Sequence, residues 1–361
     1  MLVCGASFAG LTVARELERS GANVMLVDRY EVGERQTSAC AAPTEWLELL
    51  GLSSSIRQTF GELVVHTCRS TARWSLPFTF STFDYSELCA LLRDAAASSE
   101  FETATVEGID DGAVLTDRGA IRARYVVDAL GWRRVLSSAA NPIQPPNARL
   151  SRGLEVHPPG QGEELELWID RRYVRAGYSW SFPAGDELRV GVGSFEPRDH
   201  VKDSTIALAG ELGVEALGYQ GNWIPHKLRT ATENGVFFVG DSAGHCLPLT
   251  AEGIRPAFYF AIALARELRA AIAGQITREQ ALERYRTFSH AHALRYHCML
   301  AAQNLVGRTT DRAPLRWAIG AFRARALSHW TFERYLRITP LPALPLVLPA
   351  PSAVAQPVTA G

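Results

Sequence analysis

Two stretches of this chain could hold a phosphate- or hydroxyl-bearing ligand. Gly5-Ala6-Ser7-Phe8-Ala9-Gly10 follows the apolar Leu2-Val3-Cys4 and precedes an amphipathic helical run, and Asp28 ends the next apolar stretch eighteen residues after Gly10. The order strand, glycine turn, helix, strand sets a helix N-terminus, with free N–H groups and a positive dipole end, where a pyrophosphate can bind. Gly5 permits the tight turn and Gly10 lets the helix lie close to the sheet. Ser7 stands where a second glycine is usual, adding a Cβ but also a hydroxyl that can donate, and Asp28 is placed to accept from a ribose. The second stretch, Val236-Phe237-Phe238-Val239-Gly240-Asp241-Ser242-Ala243-Gly244, carries Asp241 from an apolar strand into a glycine-flanked turn. A carboxylate there can accept from a hydroxylated ligand, and Asp ahead of Ser-Ala is also good helix-capping chemistry; both roles can hold together.

A third stretch offers a wall rather than a charge. Tyr178, Trp180 and Phe182 alternate and so share one face of a strand, which Pro183 ends before a turn at Ala184-Gly185. Aromatics at this period usually pack a core; beside two cofactor-type turns they are expected to line a pocket. Cys40, considered alone, is by default a buried structural thiol. His290, His292 and His297 fall on a predicted helix at spacings that share no face, so they are read as surface residues and no metal site is expected. His245 and Cys246 follow the Asp241 turn, but nothing assigns them a role.

Residues 178–193 fit the pattern YxWxFPx7GxG, which resembles the signature of the geranylgeranyl reductase family, flavoproteins that hydrogenate isolated double bonds in prenyl chains. The Gly240-Asp241 turn is similar to the GD motif of glutathione-reductase-type FAD proteins. The resemblance implies FAD, with Gly5, Ser7, Ala9, Gly10 and Asp28 around its adenosine and pyrophosphate and Gly240-Asp241 at the ribitol. Pro248, Gly253 and Ile254 would lie beside the isoalloxazine, where free N–H groups stabilise negative charge on the reduced ring. Ala251 stands where such proteins often carry glycine. Cys40 matches a loop cysteine near the flavin and is the catalytic candidate, although Ala41 and Ala42 replace the glycines that usually follow. Tyr178, Trp180, Phe182, Pro183, Gly191 and Gly193 would grip an extended apolar substrate. Val126 to Trp132 resembles more weakly the second ligand motif of flavin hydroxylases, with Leu130 in the usual aspartate place and Asp128 earlier.

The implied chemistry is hydride transfer from reduced flavin N5 to one alkene carbon with protonation of the other, the electrons coming from NAD(P)H or a ferredoxin. An FAD-dependent monooxygenase (hydroxylase or epoxidase) of the same fold is the main alternative. A flavin-binding lipid carrier without turnover is another, suggested by the departures at Ser7, Ala251 and Leu130. A halogenase is disfavoured, because no lysine precedes Lys202 and the WxWxIP motif is missing.

These residues need an α/β fold: a Rossmann-like FAD-binding domain, an inserted antiparallel β-sheet substrate domain and C-terminal helices. The expected FAD-binding segments are 1–62, 85–147 and 222–275, with the substrate sheet at 63–84 and 148–221. A helical region at 276–338 and a disordered Pro/Ala-rich tail at 339–361 follow. Long helices are expected at 252–273, 277–307 and 313–337. The last carries Trp317, Phe322, Trp330, Phe332 and Tyr335 among arginines, which suits either a packed terminal helix or peripheral contact with a membrane.

With 361 residues, 47% of them hydrophobic, the chain can bury a large core. Its 37 basic and 38 acidic residues are interspersed, which excludes a nucleic-acid footprint. Six cysteines without a CxxC suit a reducing compartment, and neither a signal peptide nor a spanning helix is expected, so the cytoplasm is the expected location.

Overall fold

Leu2-Val3-Cys4, Leu26-Val27, Val126-Val127 and Val236-Phe237-Phe238 are all buried, and short apolar runs of this kind are hidden on both faces of a parallel sheet. The computed structural model describes residues 1–18, 20–36, 38–138 and 150–342. In chain order its strands are β1 (Leu2–Cys4), β2 (Met25–Asp28), β3 (Ala41–Pro43), β4 (Ile56–Thr67), β5 (Ser70–Phe83), β6 (Glu100–Thr103), β7 (Val106–Asp110), β8 (Ala113–Thr116), β9 (Gly119–Arg122), β10 (Val126–Asp128), β11 (Leu150–Val156), β12 (Leu165–Ile169), β13 (Gly177–Pro183), β14 (Leu188–Ser194), β15 (Gln220–Pro225), β16 (Thr232–Glu233) and β17 (Val236–Phe238). The α-helices are α1 (Phe8–Leu17), α2 (Thr44–Leu49), α3 (Tyr85–Asp94), α4 (Lys202–Glu211), α5 (Ile254–Ile272), α6 (Arg278–His290), α7 (Ala293–Thr309), α8 (Ala313–Ala321) and α9 (Arg325–Leu336).

The apolar runs form one sheet in the order β16-β17-β10-β1-β2-β6, parallel except for the edge strand β16. Helices α1 and α5 lie against each other, and Phe8 meets Phe83, Tyr85 and Phe258 edge-on. A small meander, β7-β8-β9, stands apart.

The second sheet runs β15-β11-β14-β13-β12-β4-β5-β3. It departs from the expected purely antiparallel sheet, because β12 pairs with β4 in parallel, Leu165 opposite Leu63. The chain makes a long excursion through the first sheet between these strands, and only such a crossover allows parallel pairing. The sheet also takes in β3, the first half of β4 and most of β15, beyond the expected segments.

The C-terminal helices differ from expectation too. The span 277–307 is two helices, broken at Ala291-His292, and 313–337 is two, broken at Phe322 to Ala324. Both breaks turn a ring inward. His292 is buried rather than on the surface, its ring 5.0 Å from Phe260 and 5.3 Å from Phe288, and Phe322 lies 4.9 Å from Trp74. Thr339, at the head of the expected disordered tail, is buried and accepts from Arg255 at 2.6 Å; residues 343–361 of that tail lie outside the described residues. Among the described residues no helix is long and apolar enough to cross a membrane.

Candidate cofactor and substrate site

A cavity of about 780 Å³ is lined from both sheets and from the C-terminal helices. The first glycine turn forms one part of it. Gly5 has φ +109°, and a Cβ there would lie 2.3 Å from the Ala129 carbonyl oxygen; one on Gly10 would lie 1.8 Å from that of Gly5. Neither glycine lines the cavity: they let the turn and α1 close onto the sheet, while Ala6, Ser7 and Ala9 face the space. The Ser7 side chain does not cap α1. It bonds instead with the Tyr85 hydroxyl, 3.1 Å away, which leaves the N–H groups of the first turn of α1 for a ligand. Asp28 also lines the cavity, with its carboxylate already accepting from the N–H of Ala6 at 2.7 Å and of Tyr30 at 3.2 Å.

Gly240, Asp241, Gly253 and Ile254 line a further part, whereas Pro248 is buried behind them. Among the described residues no donor bonds the Asp241 carboxylate. Burial pushes its pKa up to about 6, offset in part by Arg229. A half-buried acceptor facing a cavity can take donors from a ligand, and sugar or ribitol hydroxyls are such donors. Leu249 and Ala251 both have positive φ, +69° and +51°, which explains why glycine suits the place of Ala251. Their turn delivers the N-terminus of the nineteen-residue helix α5 to the cavity. A glycine turn at one helix N-terminus, an undonated carboxylate and a second helix N-terminus along one cavity fit FAD.

The third part is apolar. Strands β4, β5, β12 and β13 turn alternate residues into it: Leu63 and Val65; Trp74, Leu76, Phe78 and Phe80; Leu165, Leu167 and Ile169; Tyr178, Trp180 and Phe182. On β13 the intervening Ser179 and Ser181 are buried on the other face. The glycines of the signature explain how Trp180 is held. Trp180, Gly191 and Glu155 lie on one rung across β13, β14 and β11. A Cβ on Gly191 would stand 2.2 Å from Trp180 Cζ2, and one on Gly193 3.3 Å from Cζ3. The indole thus lies on bare backbone and reaches across β14, where its Nε1 donates to Glu155 Oε2 at 3.2 Å. Gly193 lines the cavity; Gly191 lies beneath the indole, and Pro183 ends the strand outside the wall.

Cys40 lines the cavity at φ +48°, fully buried. Burial pushes its thiol well up, only partly offset by Arg189, so it carries its proton at neutral pH. Arg189 donates to the carbonyls of Ala39 and Cys40 at 2.8 and 3.0 Å and so fixes this loop. Cys246 lines the cavity beside Asp241, its thiol likewise pushed up by burial. His245 points elsewhere: it stacks on Phe260 at 3.7 Å and bonds Ser289 at 3.0 Å. Asp128 is also turned from the site, fully buried, with its carboxylate accepting from Leu130 N, Leu136 N and Ser242 Oγ.

Two features escaped sequence reasoning. Glu155, 4% exposed, lines the cavity and is bonded by His157 Nε2 at 3.0 Å as well as by Trp180; a lone glutamate in a strand gives no signal until register is known. Leu315, Ile319, Phe322 and Phe332 of the C-terminal helices roof the apolar arm, a contact that helical periodicity alone cannot assign.

No family model matches the chain. It is 24% identical over 328 residues to digeranylgeranylglycerophospholipid reductase 3 of Methanosphaera stadtmanae, covering 81% of this chain and 82% of that protein. Among solved structures it is similar to a geranylgeranyl bacteriochlorophyll reductase-like protein of Thermoplasma acidophilum, with TM-score 0.78 and 17% identity over 94% of this chain and 95% of that one. PqsL of Pseudomonas aeruginosa, solved with 2-aminobenzoylacetate, superposes with TM-score 0.70 and 19% identity over 89% of this chain and 98% of its own. The flavin-dependent brominase Bmp2 does so with TM-score 0.65 and 16% identity over 93% and 98%. At these identities the solved structures establish the fold. The chain thus shares its fold with reductase-like, monooxygenase and brominase flavoproteins, and it is similar to proteins named geranylgeranyl reductases, as its motifs led one to expect.

Proposed function

We propose that the protein is an FAD-dependent reductase that hydrogenates isolated C=C bonds of a geranylgeranyl-type prenyl lipid or a related isoprenoid or polyene. The observation that carries this reading is the continuity of the apolar arm with the Asp241–Gly253 part of the same cavity. An alkene offers no hydrogen-bonding handle, so recognition must come from shape and burial, at about 0.8 kcal/mol per CH2. Four strands presenting alternate apolar side chains meet that demand. Bound and reduced, the flavin supplies hydride. The chain's own residues hold the substrate between Trp180 and the roof, exclude water, and keep a proton on Cys40 Sγ, the group we assign to protonate the second alkene carbon. The electron donor is NAD(P)H or a ferredoxin-type protein.

The test is spectroscopic. Holoenzyme reduced with dithionite without oxygen is expected to regain its oxidised visible spectrum on addition of a geranylgeranyl phospholipid, but not of its saturated counterpart. Flavin that stays reduced with both lipids, yet is reoxidised by air with transfer of oxygen to an added substrate, would replace this reading by a monooxygenase, whose fold PqsL shares.

A further inference from the structure

The helices that roof the cavity carry a surface that the proposed chemistry does not use. Helices α8 and α9 both pack onto β5. Trp74 Nε1 donates to the Ile319 carbonyl at 3.0 Å and Ser328 Oγ to that of Ser75 at 2.9 Å, while the rings of Phe322 and Phe332 lie 4.9 and 6.2 Å from Trp74. Their outer faces therefore point the same way, away from the sheet. Trp317 on α8 is 79% exposed and Trp330 on α9 is 53% exposed. The Arg334 guanidinium stacks over Trp330 at 3.7 Å. The segment is basic as well: residues 312–337 hold six arginines against only Glu333, in a chain of formal charge −1.

The cavity reaches this face. Ala318 lines the cavity and is itself exposed, directly after Trp317; Val306 lines it directly after Leu305, which is 62% exposed. Large apolar side chains thus stand in solvent on helices that line an apolar cavity, and Arg312, Arg325 and Arg334 of the same segment are exposed with them.

We infer that this face docks on the interface of an anionic lipid bilayer and sets the cavity's opening against it, so that an apolar ligand passes between bilayer and cavity. Indoles settle at the headgroup level, apolar ring inward. Arginines keep their heads in the headgroup layer while their stems cover apolar surface. Each adds attraction to a negative leaflet that salt screens. An acidic protein would also seat arginines and indoles; what favours the bilayer is that the apolar cavity opens between these helices at Ala318 and Val306, and a bilayer is a source of apolar ligand. The inference does not depend on which reaction the flavin performs.

It is tested without turnover, by flotation of the full-length, flavin-loaded protein with vesicles of phosphatidylcholine alone or mixed with phosphatidylglycerol. Binding is expected to the mixed vesicles, to fall with added salt, and to bring quenching of tryptophan fluorescence by brominated lipid. Trp317→Ala/Trp330→Ala and, separately, Arg312→Glu/Arg325→Glu should each weaken it at least ~10-fold, with the bound flavin's spectrum unchanged as the check of folding. Wild-type protein that ignores the mixed vesicles at low salt overturns the inference, as do tryptophan variants that float like wild type. Salt-sensitive binding to an acidic ferredoxin with no binding to vesicles would likewise overturn it and make the face a protein dock.

Discussion

Asp241 sits where an ionised carboxylate is unfavourable until a ligand donates to it. Its folded pKa is raised from 3.8 to about 6 by burial. Between those values the ligand-free folded protein therefore binds more protons than the unfolded chain, and stability falls as pH rises through that window and levels off above it. Asp241→Asn should remove the slope. The ligand-free variant is expected to melt above wild type at pH 7 and to bind FAD ~10- to 100-fold more weakly, since a hydrogen bond to a charged group contributes roughly 1.5–3 kcal/mol; calorimetry and flavin titration read the two effects. A second residue-scale prediction concerns Gly191→Ala. A methyl 2.2 Å from the indole must displace Trp180, with a stability loss of roughly 1–3 kcal/mol, retained flavin and loss of alkene turnover, measured by melting, visible spectrum and product assay. The turn around Asp241 was legible in the sequence, because a strand, a glycine and a carboxylate are local. The bed beneath Trp180 was not: Gly191 reads as a ligand contact until the β13–β14 register puts it under the ring.

At the scale of elements, the roof depends on one buried cation. Arg255, fully buried on α5, pairs with Glu252 at 2.7 Å and donates to the carbonyls of Leu336 and Thr339, and Tyr335 bonds Glu252 from α9. These bonds tie the end of α9 to the start of α5, and so hold the roof to the part of the cavity we assign to the flavin. Arg255→Met leaves the Glu252 carboxylate without its cation and with only the Tyr335 hydroxyl to bond it, and breaking such a pair costs about 3–5 kcal/mol. The expected outcome is a protein that melts lower and is cut by protease between α7 and α9 before the rest of the fold; protection equal to wild type would deny Arg255 this role. Periodicity found the helical stretches but not their breaks, because His292 and Phe322 are turned inward by rings distant in sequence, Phe260 and Trp74.

For the whole molecule, the account joins three regions of one cavity: the glycine turn before α1 on the parallel sheet, the Asp241 turn after β17 together with the start of α5, and an apolar arm on the mixed sheet. The first two were written in short motifs. The third was only hinted at by three aromatics, since its other walls come from β4, β5, β12 and the C-terminal helices, which the chain brings together only on folding. The central claim is that this cavity sets an isolated alkene against reduced flavin. The most direct measurement is the product mass after anaerobic incubation of dithionite-reduced holoenzyme with a geranylgeranyl phospholipid, for wild type and for Trp180→Ala. The account predicts two added hydrogens per bond reduced with wild type, and at least a ~10-fold loss with Trp180→Ala, as about 1.4 kcal/mol of lost positioning would give. An unchanged lipid mass without oxygen, with one oxygen atom gained once air and NAD(P)H are supplied, would contradict it.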